Sequence, residues 1–95
     1  ICLGTDEFHT PDWITDLAAR TFQDAGFSVA INEPFAGALV PSVCYQSDDR
    51  VLALMIELRR DLYMDEATGE KTADFLEFRQ KLRACIGKIA SGPNF

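Results

Sequence analysis

Lysine and arginine are in short supply, nine against fifteen aspartates and glutamates, which leaves a net charge of −6. Nucleic-acid partners are held by clustered Lys and Arg in excess, so a phosphate backbone is not the expected partner. No apolar run approaches the roughly eighteen residues of a membrane span, which argues against a membrane partner. No charged-then-apolar signal segment opens the sequence, although a fragment could have lost one. The three cysteines, Cys2, Cys44 and Cys85, are odd in number and widely spaced. That excludes a disulfide framework and a CxxC motif, and a reduced, cytoplasmic setting is expected. There is one histidine, His9, so a zinc set built on several histidines cannot be assembled from these residues. Internal repeats and low-complexity segments are absent as well.

What is present is core material. The composition is 47% hydrophobic, with Trp13, seven phenylalanines and two tyrosines, and a quarter of the residues are charged. That is the balance of a globular protein. The 95 residues suit one small domain or a piece of a larger one. Because an apolar strand pattern begins at residue one, we expect a single partial domain over residues 1–95.

Ile1 to Thr5 reads as a short buried strand closed by Gly4. Thr10 and Pro11 read as the N-cap and first position of a helix, with Asp12 favourable to the helix dipole. Ile14, Leu17, Ala18, Phe22 and Ala25 then share one helical face, and Gly26 ends the helix as its C′ residue. Phe27, Val29 and Ile31 alternate as a second strand, which predicts a strand, helix, strand unit with parallel strands. Asn32 to Asp49 shows neither period, and a loop of that length in a compact domain is usually functional or mobile. Val51 to Leu58 is apolar except at Glu57, as in a strand covered on both faces. Asp65, Thr68 and Gly69 mark a turn, and Thr72 caps a second helix. In that helix Phe75, Phe78, Leu82, Cys85, Ile86 and Ile89 form the inward stripe, and Gly92-Pro93 ends it.

Glu57 is the residue that a buried strand does not need. An unpaired carboxylate out of water costs several kcal/mol unless a charge, a metal or hydrogen bonds compensate it. One reading pairs it with Arg59 or Arg60. The other makes it a general base, since desolvation raises a carboxylate's pKa and ligands gather at the carboxyl ends of strands in open α/β sheets. If the strand continues, Arg59 and Arg60 point to opposite faces, so at most one shares a side with Glu57 and binds an anionic substrate group. Tyr63 is a hydrogen-bond donor to substrate or a packing residue. Asn32 faces a ligand from the end of the second strand or caps its own turn. His9, beside Asp6 and Glu7, reads as a solvated loop residue and not as a metal ligand. Asp65, Glu66 and Glu70 form a solvated acidic turn.

Two stretches carry a family likeness. Asn-Glu-Pro-Phe-Ala-Gly (Asn32 to Gly37), followed by Ala-Leu-Met-Ile-Glu-Leu-Arg-Arg-Asp-Leu-Tyr-Met-Asp-Glu (Ala53 to Glu66), resembles the C-terminal part of the N-formylglutamate amidohydrolase family. The resemblance runs from Ile1 to about Arg83. It implies an α/β chain that is a fragment of a zinc-exopeptidase-like (phosphorylase/hydrolase-like) three-layer α/β/α fold, ordered strand-helix-strand, long loop, strand, C-terminal helix.

The resemblance further implies that Glu57 is the general base for a zinc-bound water that attacks the N-formyl carbonyl and releases formate and glutamate. Asn32 and Arg60 match family positions suited to the substrate's carboxylates, with Arg59 and Tyr63 beside them. The family's zinc ligands lie upstream of Ile1, so no metal ligand is expected in this chain, which by itself should be inactive. The expected partners are a small N-acyl amino acid and the remainder of the chain's own domain. Thr5 to Pro11 departs from the Gly-Thr-Ser-Cys type of many members, which leaves the acyl group open. A peptidase or deacylase on the same fold is the alternative enzyme. A non-catalytic binding module with Glu57 in an ion pair is the alternative class.

Overall fold

The computed structural model describes residues 1–92. Its elements are β1 (Cys2–Gly4), α1 (Asp12–Asp24), β2 (Ala30–Ile31), β3 (Met55–Glu57), a 3-10 turn (Arg60–Leu62) and α2 (Phe75–Ser91). This is the expected order of elements in a mixed α/β chain. Pro93, expected to help end the second helix, lies outside the described residues.

Helix α1 forms where the apolar spacing predicts, with Ile14, Ala18, Thr21 and Phe22 buried. Its start corrects the expected cap. Pro11 is the N-cap residue and no side chain caps the helix. Thr10 is used differently: its hydroxyl donates to the Ala53 carbonyl at 2.6 Å and accepts the Asp6 amide at 2.9 Å.

The C-terminus of α1 follows from Gly26, whose φ of 95° suits a residue without Cβ. The Gly26 amide bonds to Gln23 and the Phe27 amide to Phe22, the two bonds of a Schellman cap. The Phe22 and Phe27 rings meet edge-on at 6.2 Å, which adds the apolar contact such caps favour. Phe27 therefore belongs to the cap, and the strand expected from Phe27 shrinks to Ala30–Ile31.

The sheet order is β2-β1-β3. β1 is parallel to β2, pairing Cys2 with Ala30 and Leu3 with Ile31. It is antiparallel to β3, pairing Cys2 with Glu57, Leu3 with Ile56 and Gly4 with Met55. Because side chains alternate across a strand, Leu3 and Ile56 share one face while Cys2, Gly4, Met55 and Glu57 share the other. Both helices pack on the Leu3 face, where Ile1, Leu3, Ala18, Phe22 and Cys85 form the core with Leu54, Ile56 and Leu58 against them. Cys85 is buried there, its thiol 3.8 Å from the Thr21 carbonyl, and burial pushes that thiol's pKa up.

Three further expectations are corrected. The strand expected over Val51–Leu58 is confined to Met55–Glu57. Its first half is held by the loop before α1 and not by a ladder: the Ala53 amide bonds to the His9 carbonyl at 2.9 Å, and Thr10 takes the Ala53 carbonyl. α2 begins at Phe75, so Thr72 is not its cap, and the Thr72 hydroxyl is buried without a partner. Ile86 is 45% exposed and leaves the inward stripe, which is carried by Phe78 and Cys85 with Leu82 and Ile89 beside the core.

Candidate functional site

The face of the sheet away from the helices is crossed by the start of the long loop. The Cys2 thiol lies 3.5 Å from the Phe35 carbonyl, and the Gly37 amide bonds to the Thr5 carbonyl at 3.2 Å. This close crossing requires Gly4. A Cβ at that position would run into the Gly37 carbonyl and the Met55 side chain, so the strand glycine marks a place where two backbones meet. Gly4→Ala is expected to cost about 1–3 kcal/mol, the usual cost of overpacking, because a backbone carbonyl cannot rotate away. Gly87, inside α2, has nothing within 4 Å of its Cβ position. Gly87→Ala should stabilise by about 0.5–1 kcal/mol and so raise the urea midpoint. Equal midpoints for the two variants would contradict the crossing.

Between loop and sheet lies a cavity of about 360 Å³, lined by Ile1, Cys2, Ser28, Val29, Ala30, Glu33, Pro34, Phe35, Glu57, Leu58 and Arg59. Glu57 is half-buried at the end of β3, directly across from Cys2 in the antiparallel pair. Cross-strand partners on one face have Cβ atoms about 4.5–5.5 Å apart, so Glu57 and Cys2 are neighbours in the cavity wall. Among the described residues Glu57 enters no ion pair.

Of the expected site residues, Arg59 lines this cavity with Glu57, but its guanidinium pairs with Asp61. The pair holds the Asp61 carboxyl below the usual carboxylate range and raises the Arg59 pKa. Arg60 opens the exposed 3-10 turn and does not line the cavity. Tyr63 is also elsewhere, its ring stacked on Phe78 at 5.8 Å and edge-on to Phe75 at 6.5 Å. It is placed as a packing residue. Asn32 sits in the left-handed region with φ of 58°. Its side chain accepts the Thr5 amide at 2.9 Å and donates to the Thr5 hydroxyl at 2.8 Å. It ties the ends of β1 and β2 together, and the cavity is lined by the residues that follow it, Glu33 to Phe35.

His9 is the largest departure from expectation, since it is fully buried and not a solvated loop residue. Nδ1 donates to the Val51 carbonyl at 2.7 Å, and Nε2 accepts the Gln46 amide at 3.0 Å. The imidazole pins the far end of the long loop to the segment before α1. Asp6 orders that segment by accepting the amides of Phe8 and His9. One signal for Gly4 was available in the sequence, a glycine inside a strand pattern. Cys2 and Ala30 as cavity walls had none, because they are set by strand pairing across the chain.

The zinc that the resemblance implies finds no complete ligand set here. Among the described residues no group of three or more His, Cys, Asp or Glu could hold a metal ion. No helix among them is long and apolar enough to cross a membrane.

The comparisons with known proteins bear on the family and the fold. A family model described as N-formylglutamate amidohydrolase matches residues 1–64. The crystal structure of N-formylglutamate amidohydrolase from Ralstonia eutropha JMP134 is similar at a TM-score of 0.76 and 30% identity, over 95% of this chain. The chain spans 32% of the length of that relative. No curated protein matches.

Proposed function

This chain belongs to the N-formylglutamate amidohydrolase family, and from that premise we propose that it contributes the general base of an enzyme that hydrolyses the amide of an N-acyl amino acid. Glu57 is that base, and N-formyl-L-glutamate is the substrate that the family points to. Glu57 takes a proton from water as the water oxygen bonds to the acyl carbon. The C–N bond then breaks, and the proton passes from Glu57 to the leaving nitrogen. Formate and glutamate leave, and no other reactant is needed for the balance.

The observation that carries this reading is Glu57 itself, half-buried on the wall of a largely apolar cavity and without an ion pair among the described residues. The binding-module reading needs Glu57 paired with an arginine. Arg59 is occupied by Asp61 and Arg60 lies outside the cavity, which favours the enzyme.

Activity is proposed for the whole protein that contains this chain. The radius of gyration is 14.6 Å, against about 12 Å for a compact chain of this length. Leu39 and Val43 are 95% and 85% exposed, and such apolar side chains suit cover by the remainder of the domain. The zinc ligands implied by the resemblance would lie in that remainder.

Given N-formyl-L-glutamate, the protein is expected to release formate and glutamate in equal amounts. Release of free amino acid from dipeptides, with no formate from the formyl substrate, would support the peptidase alternative instead.

A further inference from the structure

The chain leaves β2 at Asn32 and reaches Gly37 through a short arch, in which Glu33, Pro34 and Phe35 line the cavity beside Glu57. Both feet of the arch stand on one residue, Thr5, just past the end of β1. The Thr5 amide donates to Asn32 Oδ1 at 2.9 Å, and Asn32 Nδ2 donates to the Thr5 hydroxyl at 2.8 Å. The Thr5 carbonyl accepts the Gly37 amide at 3.2 Å. Between the feet, the Cys2 thiol donates to the Phe35 carbonyl at 3.5 Å, and Cys2 is the cross-strand partner of Glu57. Every partner in this set belongs to the chain itself.

Asparagine suits the first foot in two ways. Its φ of 58° lies in the left-handed region, which asparagine tolerates better than most residues. Its planar amide also offers Thr5 an acceptor and a donor at once. Both Asn32–Thr5 bonds are open to solvent, where exchange with water leaves a hydrogen bond little net effect on stability. What the pair fixes is direction, because it sends the chain out of β2 along the one path that forms the cavity wall.

We propose that Asn32 and Thr5 are positioning residues for the reaction, holding the arch at the wall beside Glu57 and so setting how the substrate lies against the base. Neither residue lines the cavity, and they act through Glu33, Pro34 and Phe35. The inference rests on the reading of Glu57 as the base.

The test measures kcat and KM for formate release from N-formyl-L-glutamate by variants of the intact protein, with melting curves alongside. Asn32→Gly accepts the left-handed backbone but loses the amide. It is expected to lower kcat about tenfold to a hundredfold, the effect of misplacing a substrate by about an ångström, while KM and the melting curve change little. Thr5→Val should also lower kcat, and Thr5→Ser, which keeps the hydroxyl, should recover most of it. Asn32→Gly combined with Thr5→Val should be no slower than Asn32→Gly alone, because the hydroxyl has already lost its partner. A raised KM with kcat unchanged, a loss that follows unfolding, or fully additive losses in the double variant would overturn the arch. Parental kcat in Asn32→Gly beside an inactive Glu57→Gln form would overturn the arch and leave the base standing. An active Glu57→Gln form, or no formate release by the parent protein, would overturn both.

Discussion

Phe22→Ala is expected to remove about 3–5 kcal/mol of stability, the range for deleting a buried aromatic side chain. Phe22 is the largest fully buried side chain, and it serves two structures at once. It lies in the core with Leu3, Ala18 and Cys85, and its ring and carbonyl close the α1 cap against Phe27. Phe27 passes the contact on to Phe78 of α2, edge-on at 5.9 Å, so truncation loosens the packing between the helices as well. A domain of this size has only about 5–14 kcal/mol in total. The loss is therefore about a fifth or more of what holds the fold. Leu76→Ala is the control: Leu76 is on α2 but 67% exposed, and its loss should fall within about 0.5 kcal/mol. Urea midpoints of the two variants that lie close together would contradict the assigned core.

Much of this fold was legible because it is local. Helix α1 is written in the spacing of Ile14, Ala18 and Phe22 and in Gly26, and each of these acts within a few residues of its neighbours. The parallel pairing of β1 with β2 follows from the helix between them. What the pattern overstated was strand length. The apolar run from Val51 looks like one strand, yet Val51 and Ala53 give their carbonyls to His9 and Thr10, more than forty residues away in sequence. Periodicity contains no record of such a partner.

The candidate site divides in the same way. Glu57 stood out because a carboxylate in an apolar run needs a reason. Its surroundings were not readable: the cavity walls come from strands paired across the chain and from a loop admitted by Gly4. Asn32 and Tyr63 have residue types that suit a ligand, but each is engaged elsewhere, with Thr5 and with Phe78.

Glu57→Gln bears on the central claim. The substitution keeps the size and planarity of the side chain and removes its ability to take a proton. Because Glu57 makes no ion pair among the described residues, no arginine is left uncompensated, and the thermal midpoint should stay nearly unchanged. A positioned general base contributes about 10²–10⁴-fold to the rate. The measurement is kcat/KM for formate release from N-formyl-L-glutamate by the Glu57→Gln form of the intact protein, with the melting curve recorded beside it. The account predicts a loss of at least about a hundredfold with an unaltered melting curve, whereas activity near that of the parent protein, or a loss explained by unfolding, would contradict it.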